Sequence, residues 1–443
     1  MTVDRAALKR RVCAEIDRRR DDIFAIGDDI WRHPELGFKE HRTAGVAAEA
    51  LRSLGLKPKE GIAITGVKAV ASGAKPGPGV AVLGELDALG VPDHPECDPT
   101  TGAVHACGHN AQIAGMVGVA MGIVGSGVLE ALAGRVVFIA VPAEEYVEVE
   151  YRNTLRQQGK LEFLGGKPEF IRLGEMDDVD IAMMTHLSSD PSDGKVGVPV
   201  SSNGCIAKQI QYVGRAAHAG GAPHRGINAL AAANIALAAI NAQRETFRDE
   251  DCIRVHPIIT RGGDIVNVIP ADVRLETYVR GKTVEAIQEA DRKVERALRA
   301  GAIALGAVAK VTTLPGYLPQ VNDSNLADLI GANADALHGP GSYRRVGHRG
   351  GSTDMGDVEH IMPAVHPHHF GGGGTGHGRD YHIADREAAY LGPAKMMAMT
   401  VVDLLCDDAA TGKDVIAKHK PLMTKEQYLA FMRSLFRETV YTE

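Results

Sequence analysis

The sequence is poor in aromatic residues and in cysteine. Among 443 residues it has one Trp, 10 Tyr, 9 Phe and six Cys, which are spread from Cys13 to Cys406 without a repeated spacing. Scattered cysteines argue against a disulfide framework and favour a reducing compartment. The first residues are rich in Arg and Asp and lack the apolar segment of a signal peptide. We therefore expect a cytoplasmic protein.

Long hydrophobic runs and an excess of basic charge are also missing. The longest apolar stretch, residues 113–128, is interrupted by glycine and is shorter than the roughly 20 residues that a membrane-spanning helix needs. The net charge is −7, whereas nucleic-acid-binding proteins usually carry a basic excess. These absences predict a globular protein with no membrane partner and no nucleic-acid partner.

The order of the predicted elements indicates two domains. Three apolar runs are typical of buried parallel strands, at residues 79–83, 134–140 and 180–185. From residue 204 the pattern changes to strand–helix–strand–strand–helix–strand, the ferredoxin-like βαββαβ arrangement. We predict an α/β domain of residues 1–203 and 317–443, with a second domain of residues 204–316 inserted into it.

A first chemical signal is the pair Cys107 and His109, which lie two residues apart at the start of an apolar helix. Thiolate sulfur and imidazole nitrogen are both ligands for divalent metals such as Zn²⁺. The positive end of a helix favours the thiolate, which is the form that binds a metal. An isolated pair of this kind is more often a buried thiol and an ordinary core histidine, so further ligands are needed.

Further donors follow predicted strands. Glu144 and Glu145 come just after the second apolar run, and His186 follows the third. Ligands of open α/β sheets bind at the carboxyl ends of the strands, where these side chains are expected. Of two adjacent carboxylates, one can bind a metal while the other handles the proton of a water molecule. The alternatives are solvated charge for the glutamates and a capping or core role for His186.

Other histidines are candidates for the same site. Five lie close together near the C-terminus, and one of them could complete a metal site: His366, His368, His369, His377 and His382. His377 is flanked by glycines, which allow a sharp turn toward a ligand. His218 lies in a glycine-containing loop of the inserted domain. It can donate a hydrogen bond to a developing oxyanion, or it can be an ordinary loop histidine.

Taken together, these motifs resemble the M20 metallopeptidase/amidohydrolase family, in particular its aminoacylase-like and aminobenzoyl-glutamate hydrolase-like branch. The resemblance extends over nearly the whole chain. It rests on residues 84–89, 105–110, 142–145, 186, 214–228, 267–270, 352–354 and 376–377. It implies a zinc-peptidase-like α/β catalytic domain with an inserted lid or dimerisation domain, and hence a homodimer.

The resemblance also implies roles for individual residues. One or two divalent ions, Zn²⁺ or Mn²⁺, would be bound by Cys107, His109, Glu145, His186 and His377. Glu144 would be the general base, and Asp87 would orient a metal ligand. His218 would reach the substrate or the oxyanion, in many relatives across a dimer, and Asn267 would contact the substrate.

The chain departs from the family pattern at three places. Glu85 stands where many members have a metal-binding histidine, and Asn110 stands where many relatives have Asp. Residues 146–152 replace a glycine-rich segment. Within and after this segment, Arg152 or Arg156 is a candidate partner for a substrate carboxylate, although both arginines can equally be solvated helix charges.

Three functions are compatible with these residues. The leading prediction is a metal-dependent amidohydrolase that cleaves an N-acyl or N-aroyl amino-acid-like amide with a metal-activated water. The same site could instead displace the amino group of an electron-poor aromatic amine, such as a nitroanthranilate, and release ammonia. The third hypothesis is a non-catalytic partner subunit or binding protein. The presence of Glu144 beside a full candidate ligand set argues against it.

Overall fold

The computed structural model describes residues 4–442, and the core of the larger domain is a mixed six-stranded sheet. In spatial order the strands are Lys59–Ile62, Gly66–Ser72, Ala133–Val141, Lys75–Glu85, Ile181–Met183 and Ala364–Val365. The last four strands run parallel to one another, so their carboxyl ends lie at one edge of the sheet. Continuous apolar sequence produces these strands because both of their faces are buried.

Helices pack around this sheet. In the larger domain they are Arg5–Arg18, Arg20–Arg32, His41–Ser53, His109–Gly125, Val149–Gln157, Gly166–Arg172, Ser324–His338, Met355–Glu359, Gly392–Leu405, Ala410–Lys418 and Lys425–Leu435, with a π-helical turn at Glu387–Leu391. The glycines of His109–Gly125 permit close helix packing. A Cβ at Gly118 would lie 2.8 Å from the Cβ of Ala394, which is too close for a carbon–carbon contact.

The inserted domain has the strand order of a ferredoxin-like fold. Its antiparallel sheet contains, in spatial order, Arg254–Val255, Asp272–Gly281, Gly204–Val213 and Val308–Tyr317, and Ile258–Arg261 also pairs with Asp272–Gly281. Its helices are Ala229–Ala242 and Val284–Leu305, which pack on each other and on the sheet. The alternating burial of Asp272–Gly281 reflects a sheet with one covered face. We call this domain the lid.

The C-terminal strand is assigned differently by the sequence and by the structure. The sequence placed all of residues 317–443 in the larger domain, but Arg437–Tyr441 pairs antiparallel with Val308–Tyr317 and becomes an edge strand of the lid sheet. Side chains of the lid helix hold it there, because Arg437 pairs with Asp291. An unpaired sheet edge offers a row of free main-chain donors and acceptors, and the C-terminal segment satisfies them.

A second, smaller sheet lies beside the central one. Its strands, in spatial order, are Tyr343–Val346, Val196–Pro199, His368–Phe370 and His186–Ser188. Short two-stranded ribbons pair Ser201–Ser202 with Gln320–Val321, Gly372–Gly373 with His382–Ile383, and Leu89–Gly90 with Ala103–Val104. Parallel pairing of His368 with His186 brings two distant histidines side by side.

Among residues 4–442, no single helix is long and apolar enough to cross a membrane. Two consecutive helical segments, Glu387–Leu405 and Asp407–Lys418, reach the length and apolar composition of a membrane span only when they are taken together. They are inclined at 69° to each other.

Candidate metal centre

The carboxyl edge of the central sheet brings together the polar side chains that the sequence indicated. Glu85 ends a central strand, Glu144 and Glu145 follow its neighbour on one side, and His186 follows its neighbour on the other. Because these strands are parallel, the four side chains start from the same edge. Glu144, Glu145 and His186 line the floor of a cavity between the larger domain and the lid, and Glu85 is buried beneath them.

A tight turn adds Cys107 and His109 to this edge. Gly108, between them, has φ = 82° and immediately precedes the helix that begins at His109. This left-handed conformation favours glycine. A Cβ at Gly108 would also lie 2.6 Å from the hydroxyl of Tyr381 and 2.9 Å from the Cβ of Leu187. Backbone conformation and available space both require glycine at this position.

The donor atoms form two sets that share the sulfur of Cys107. His186 Nε2 is 3.2 Å from Cys107 Sγ, and the ligand atoms of Cys107, His109 and His186 lie within 4.8 Å of one another. In the second set, His377 Nε2 is 3.3 Å from the same sulfur and 3.2 Å from Glu145 Oε1. The structure thus brings together all five residues that the resemblance implied as ligands.

The chemistry of these donors fits a divalent metal. His109 Nε2 and Glu145 Oε1 are buried and form no well-directed hydrogen bond within residues 4–442, although each lies close to another charged donor, 3.1 Å from Glu85 and 3.2 Å from His377 respectively. Sulfur, imidazole nitrogen and carboxylate oxygen together suit Zn²⁺, and imidazole with carboxylate also accepts Mn²⁺.

Neighbouring charges adjust the protonation of the donors. Burial and the Glu145 charge oppose ionisation of the Cys107 thiol, but His186 and His109 outweigh them and lower its pKa to about 6. The Glu145 carboxylate raises the pKa of His377 to about 11. Burial opposes ionisation of Glu145, but His377 and His109 hold the pKa of Glu145 below its usual value. The site therefore favours the anionic forms of its sulfur and of this carboxylate.

Asp87 joins several of these residues. Its Oδ1 accepts the main-chain N–H of Glu144 at 3.1 Å, and its Oδ2 accepts that of Glu145 at 2.9 Å. Nδ1 of His109 lies 2.8 Å from the carbonyl oxygen of Asp87. When Nδ1 donates to this oxygen, Nε2 of His109 is left with its lone pair free, which is the arrangement a metal ligand needs.

Glu144 is buried beside the donor atoms. Its Oε2 is 3.9 Å from His109 Nε2, and the hydroxyl of Tyr317 contacts its main-chain carbonyl. Burial is the largest influence on the pKa of Glu144, and the charges of Glu85 and Glu145 act in the same direction, so the pKa is raised well above its usual value. A buried carboxylate next to a metal site can accept a proton from water and return it to a leaving group.

A buried lysine was not recognised from the sequence. Lys167 is fully buried, and its Nζ is 2.5 Å from Glu85 Oε1 and also contacts a carboxylate oxygen of Asp354. The other oxygen of Glu85 lies 3.1 Å from His109 Nε2, so Glu85, His109 and Glu144 form a third candidate ligand group. A lone Lys after two glycines carries no periodic or motif signal, and only the fold brings it to Glu85.

The cavity above the donors has aromatic walls. Its volume is about 650 Å³, and its lining includes the donors Cys107, Glu145, His186 and His377 as well as side chains of the lid. Tyr146 packs edge-on against Tyr278 of the lid at 6.1 Å and against Tyr317 at 5.3 Å between ring centroids. The hydroxyl groups of Tyr146 and Tyr278 are held by main-chain carbonyls.

Two arginines line the same cavity. Arg349 pairs with Asp193 and lies 3.5 Å from Asp190, so its charge is balanced by the protein. Arg280, from the lid, lies over the ring of Tyr278 at 5.1 Å and pairs with no carboxylate among residues 4–442. The Arg280 guanidinium is therefore available to an anionic group of a ligand. The sequence does not reveal Arg280, because an isolated arginine in a strand has no distinctive pattern.

The C-terminal histidines are separated by the fold. His377 reaches the donor atoms, and its main-chain N–H donates to Ala106 beside the Cys107 turn at 2.9 Å. His366 and His368 line the cavity without joining a donor set. Burial lowers the pKa of His366 well below its usual value, so its imidazole is neutral at neutral pH.

Two residues singled out from the sequence lie away from the cavity lining. Arg152 was a candidate for substrate binding, but it is fully buried, and its Nη1 donates to the main-chain carbonyls of Ala143 at 3.0 Å and Leu164 at 2.9 Å. The structure therefore contradicts that prediction, because Arg152 supports the loop behind Glu144. Asn110 is also buried, and its amide donates to the carbonyl of Gly27.

His218 and Asn267 lie on the outer part of the lid. Both are exposed, and neither lines the cavity of its own chain. Ala219, next to His218, donates its N–H to the carbonyl of Asn267 at 2.9 Å, which holds the two loops together. Nδ1 of His218 accepts the N–H of Gly221 at 3.0 Å, so the Nε2–H is free to donate outward.

Two sets of candidate metal donors that share the Cys107 sulfur lie next to a buried carboxylate and below a cavity lined by Arg280, an arrangement typical of a metal-dependent hydrolase. The profile described as Peptidase family M20/M25/M40 matches residues 81–402. The chain belongs to this family, and it is a metal-dependent hydrolase of amide bonds.

Comparisons with individual proteins agree with this assignment. The chain is 29% identical to a Xaa-Arg dipeptidase of Mus musculus over 95% of its own length and 94% of that protein. It is 27% identical to an N-acyl-L-amino acid amidohydrolase of Geobacillus stearothermophilus over 77% and 87% of the two chains. Its fold is similar to that of a dinuclear metal binding peptidase from M20 family of Bacillus subtilis, with a TM-score of 0.60 and 23% identity over 88% and 99% of the chains.

Proposed function

We propose that the protein hydrolyses the amide bond of a small N-acyl or N-aroyl amino acid. The observation that carries this proposal is the unpaired Arg280 in a cavity whose floor holds the metal donors. A guanidinium binds the carboxylate of an amino acid with two parallel hydrogen bonds. The rings of Tyr146, Tyr278 and Tyr317 offer an apolar surface to an acyl or aroyl group. The amidohydrolase relative acts on N-acyl amino acids, which supports the same class of substrate.

The five donors Cys107, His109, Glu145, His186 and His377 would hold one or two ions of Zn²⁺ or Mn²⁺, with the sulfur of Cys107 common to both sets. A bound ion of this kind lowers the pKa of a coordinated water and polarises a carbonyl group. The similarity to a dinuclear metal-binding peptidase supports a capacity for two ions.

Side chains of the protein itself transfer the proton of the attacking water. Glu144, with its raised pKa, takes a proton from the attacking water and delivers it to the leaving nitrogen. Asp87 keeps Glu144 and Glu145 apart and in place through their main-chain N–H groups. The contact from Tyr317 to the carbonyl of Glu144 limits its movement further. Close control of the position of the base matters because small displacements reduce the rate strongly.

His218 and Asn267 would reach the substrate from a second copy of the chain. Their exposure and their distance from the cavity of their own chain support this arrangement. Exposed apolar side chains lie on the same part of the lid, among them Ile265 and Val266, which are 61% and 100% exposed. Apolar surface of this kind is typical of a subunit interface. We therefore propose a homodimer formed through the lid.

A substrate assay with two readouts tests the proposed function. Metal-loaded protein is incubated with N-acetyl and N-benzoyl amino acids, and released amino acid is measured. Aminoarenes bearing a nitro group and a carboxylate are tested in parallel for release of ammonia, the outcome expected of the alternative deaminase. Glu144→Gln is expected to keep its metal and lose at least about 100-fold in kcat. Undiminished turnover by this variant would contradict the role of Glu144.

The location in the cell is proposed from the cysteines. All six are free in the structure, three of them half-buried beyond the metal site, namely Cys13, Cys97 and Cys252. Free thiols are typical of a reducing compartment, which supports a cytoplasmic location.

A further inference from the structure

Several polar side chains of the cavity have partners within the protein, whereas the imidazole of His366 has none among residues 4–442. Gln320 donates to Glu359 at 3.1 Å, and Arg349 pairs with Asp193. His366 is only 2% exposed, yet neither of its ring nitrogens has a hydrogen-bond partner within residues 4–442. Buried polar groups without partners are rare in folded proteins and call for an explanation in function or in a ligand.

The position of His366 is imposed by its backbone. The residues before it, Ala364 and Val365, form an edge strand of the six-stranded sheet and pair parallel with Ala182 and Met183. Its own main-chain N–H donates to the side chain of Asn322. The fold thus holds the His366 imidazole where no group among residues 4–442 forms a hydrogen bond with it. An unpaired buried polar group opposes folding.

His366 lies beside the metal donors. Its ring centroid is 5.8 Å from that of His186, whose Nε2 contacts the sulfur of Cys107. The His366 side chain lines the cavity together with both of these residues. A carbonyl oxygen drawn toward the donor atoms would therefore come close to an imidazole that still has an unused N–H.

We propose that His366 donates a hydrogen bond to the oxygen of the scissile carbonyl. This inference rests on the proposed amide hydrolysis. As the water oxygen bonds to the carbonyl carbon, the π electrons of the C=O bond move to oxygen, and the N–H of His366 stabilises the negative charge. The oxyanion electrons then re-form the C=O bond as the C–N bond breaks, and the bonding pair and the proton carried by Glu144 go to nitrogen, which leaves a carboxylic acid and an amine. His366 keeps its own proton throughout. His366 is a catalytic residue in this scheme, supplied by the same chain as the metal donors.

The test replaces His366 with residues of matched size. His366→Phe fills the space without an N–H, and His366→Asn retains a donor. With an N-benzoyl amino acid as substrate, His366→Phe is expected to lose about 100-fold in kcat, the usual effect of removing one oxyanion donor. KM is expected to stay within about threefold, because the contact strengthens only in the transition state. His366→Asn should recover part of kcat.

Stability and metal content separate this role from a structural one. Because His366→Phe removes two unpaired polar atoms from a buried position, its Tm should equal or exceed that of the wild type. Its metal content should be unchanged. His360 serves as the control, since it is also buried and its Nδ1 is bound to the carbonyl of Gly356 at 2.7 Å. His360→Phe should lower Tm and leave the kcat of the folded protein unchanged.

Three results would overturn the proposal. One is an unchanged kcat in His366→Phe. Another is loss of metal from that variant, which would make His366 a metal ligand. The third is a drop in Tm so large that loss of folded protein explains the lost activity. That result is expected if His366 serves only in packing. Failure of the proposed function would look different, since the wild type itself would then release no amino acid from the amide.

Discussion

Oδ2 of Asp87 accepts the main-chain N–H of Glu145 at 2.9 Å, and this hydrogen bond connects the central strand of the sheet to a metal donor on the neighbouring strand. The other oxygen of Asp87 holds Glu144 in the same way, and its carbonyl oxygen lies against His109. A single buried residue therefore positions the proposed base and two proposed metal ligands.

Replacing Asp87 tests this connection. Asp87→Asn keeps one oxygen acceptor and loses the other, so one of the two glutamates should lose its anchor. We expect metal affinity to fall about 10- to 100-fold, as is typical when a residue that orients metal ligands is changed. Affinity would be measured by titrating metal-free protein with Zn²⁺ or Mn²⁺.

The matched control for Asp87 lies at the opposite end of the sheet. Asp180 accepts the main-chain N–H of Gly79 at 2.7 Å, which is the same kind of bond far from the metal donors. Asp180→Asn should lower the free energy of unfolding and leave metal affinity unchanged. Equal losses of affinity in both variants would contradict a specific role for Asp87.

Cys107 is shared by both donor sets, so its replacement should affect every bound ion. Cys107→Ser is expected to lower the metal content after dialysis below about one ion per chain, since a hydroxyl is a poor ligand compared with a thiolate. Elemental analysis gives the readout. Cys13→Ser, a half-buried cysteine away from the cavity, is the control and should retain the wild-type metal content.

The protonation of His377 predicts how metal binding depends on pH. Its pKa of about 11 means that the ring is protonated in the metal-free protein at neutral pH, whereas a metal ligand must be neutral. Binding must therefore release this proton, and affinity should rise as pH increases toward 11. Cys107, with a pKa of about 6, is already a thiolate above neutral pH and should add a further released proton only under acidic conditions.

Calorimetry in buffers of different ionisation heat measures the protons released. At about pH 8, His377→Asn should release about one proton fewer than the wild type. If both proteins release the same number of protons on metal binding, His377 either does not bind the metal or is already neutral before binding.

The turn at Gly108 should tolerate no side chain. Gly108→Ala adds a clash with Tyr381 and Leu187 to the cost of a left-handed backbone, so we expect a loss of about 2–4 kcal/mol in the free energy of unfolding, together with weaker metal binding. Gly159→Ala is the control. Gly159 has φ = 72° with nothing within 4 Å of a Cβ, and its replacement should cost only about 1 kcal/mol. Chemical denaturation of both variants provides the comparison.

Mixing two inactive variants tests the proposed dimer. In Glu144→Gln the catalytic base is missing, and in His218→Ala the residue offered to a partner is missing. A heterodimer of the two contains one intact site, formed by the Glu144 of one chain and the His218 of the other. Equal mixtures that exchange subunits should recover about a quarter of wild-type activity, because half of the dimers are mixed and each has one working site. No recovery from a mixture that sedimentation shows to be dimeric would contradict a contribution of His218 across the interface.

Much of the larger domain and of the metal site could be predicted from local sequence. Strands that are buried on both faces must be apolar throughout, so Val80–Leu83 and the run before Glu144 were recognisable as parallel strands. A donor at the end of each such strand then had to lie at one sheet edge. For this reason Glu145 and His186 could be placed at one edge before any distances were known, whereas Cys107 and His109 were recognised as a ligand pair at the start of a helix.

Other features depended on contacts between distant segments. Lys167 meets Glu85 and Asp354 only after folding, and the pairing of Arg437–Tyr441 with the lid sheet adds an edge strand that no local pattern reveals. The prediction for Arg152 was wrong because a charge on a short amphipathic helix usually faces solvent, whereas here main-chain carbonyls of neighbouring loops enclose it.

The sequence by itself determined the class of chemistry, because a thiol, imidazoles and adjacent carboxylates after parallel strands have few other uses. The tertiary structure decided which C-terminal histidine approaches the sulfur and which arginine keeps a free charge in the cavity. It also placed the buried His366 imidazole beside the donors without a hydrogen-bond partner among residues 4–442. The physical reason is that ligand type and strand order are local properties. Burial, charge pairing and the satisfaction of hydrogen bonds depend on every segment that packs around a residue.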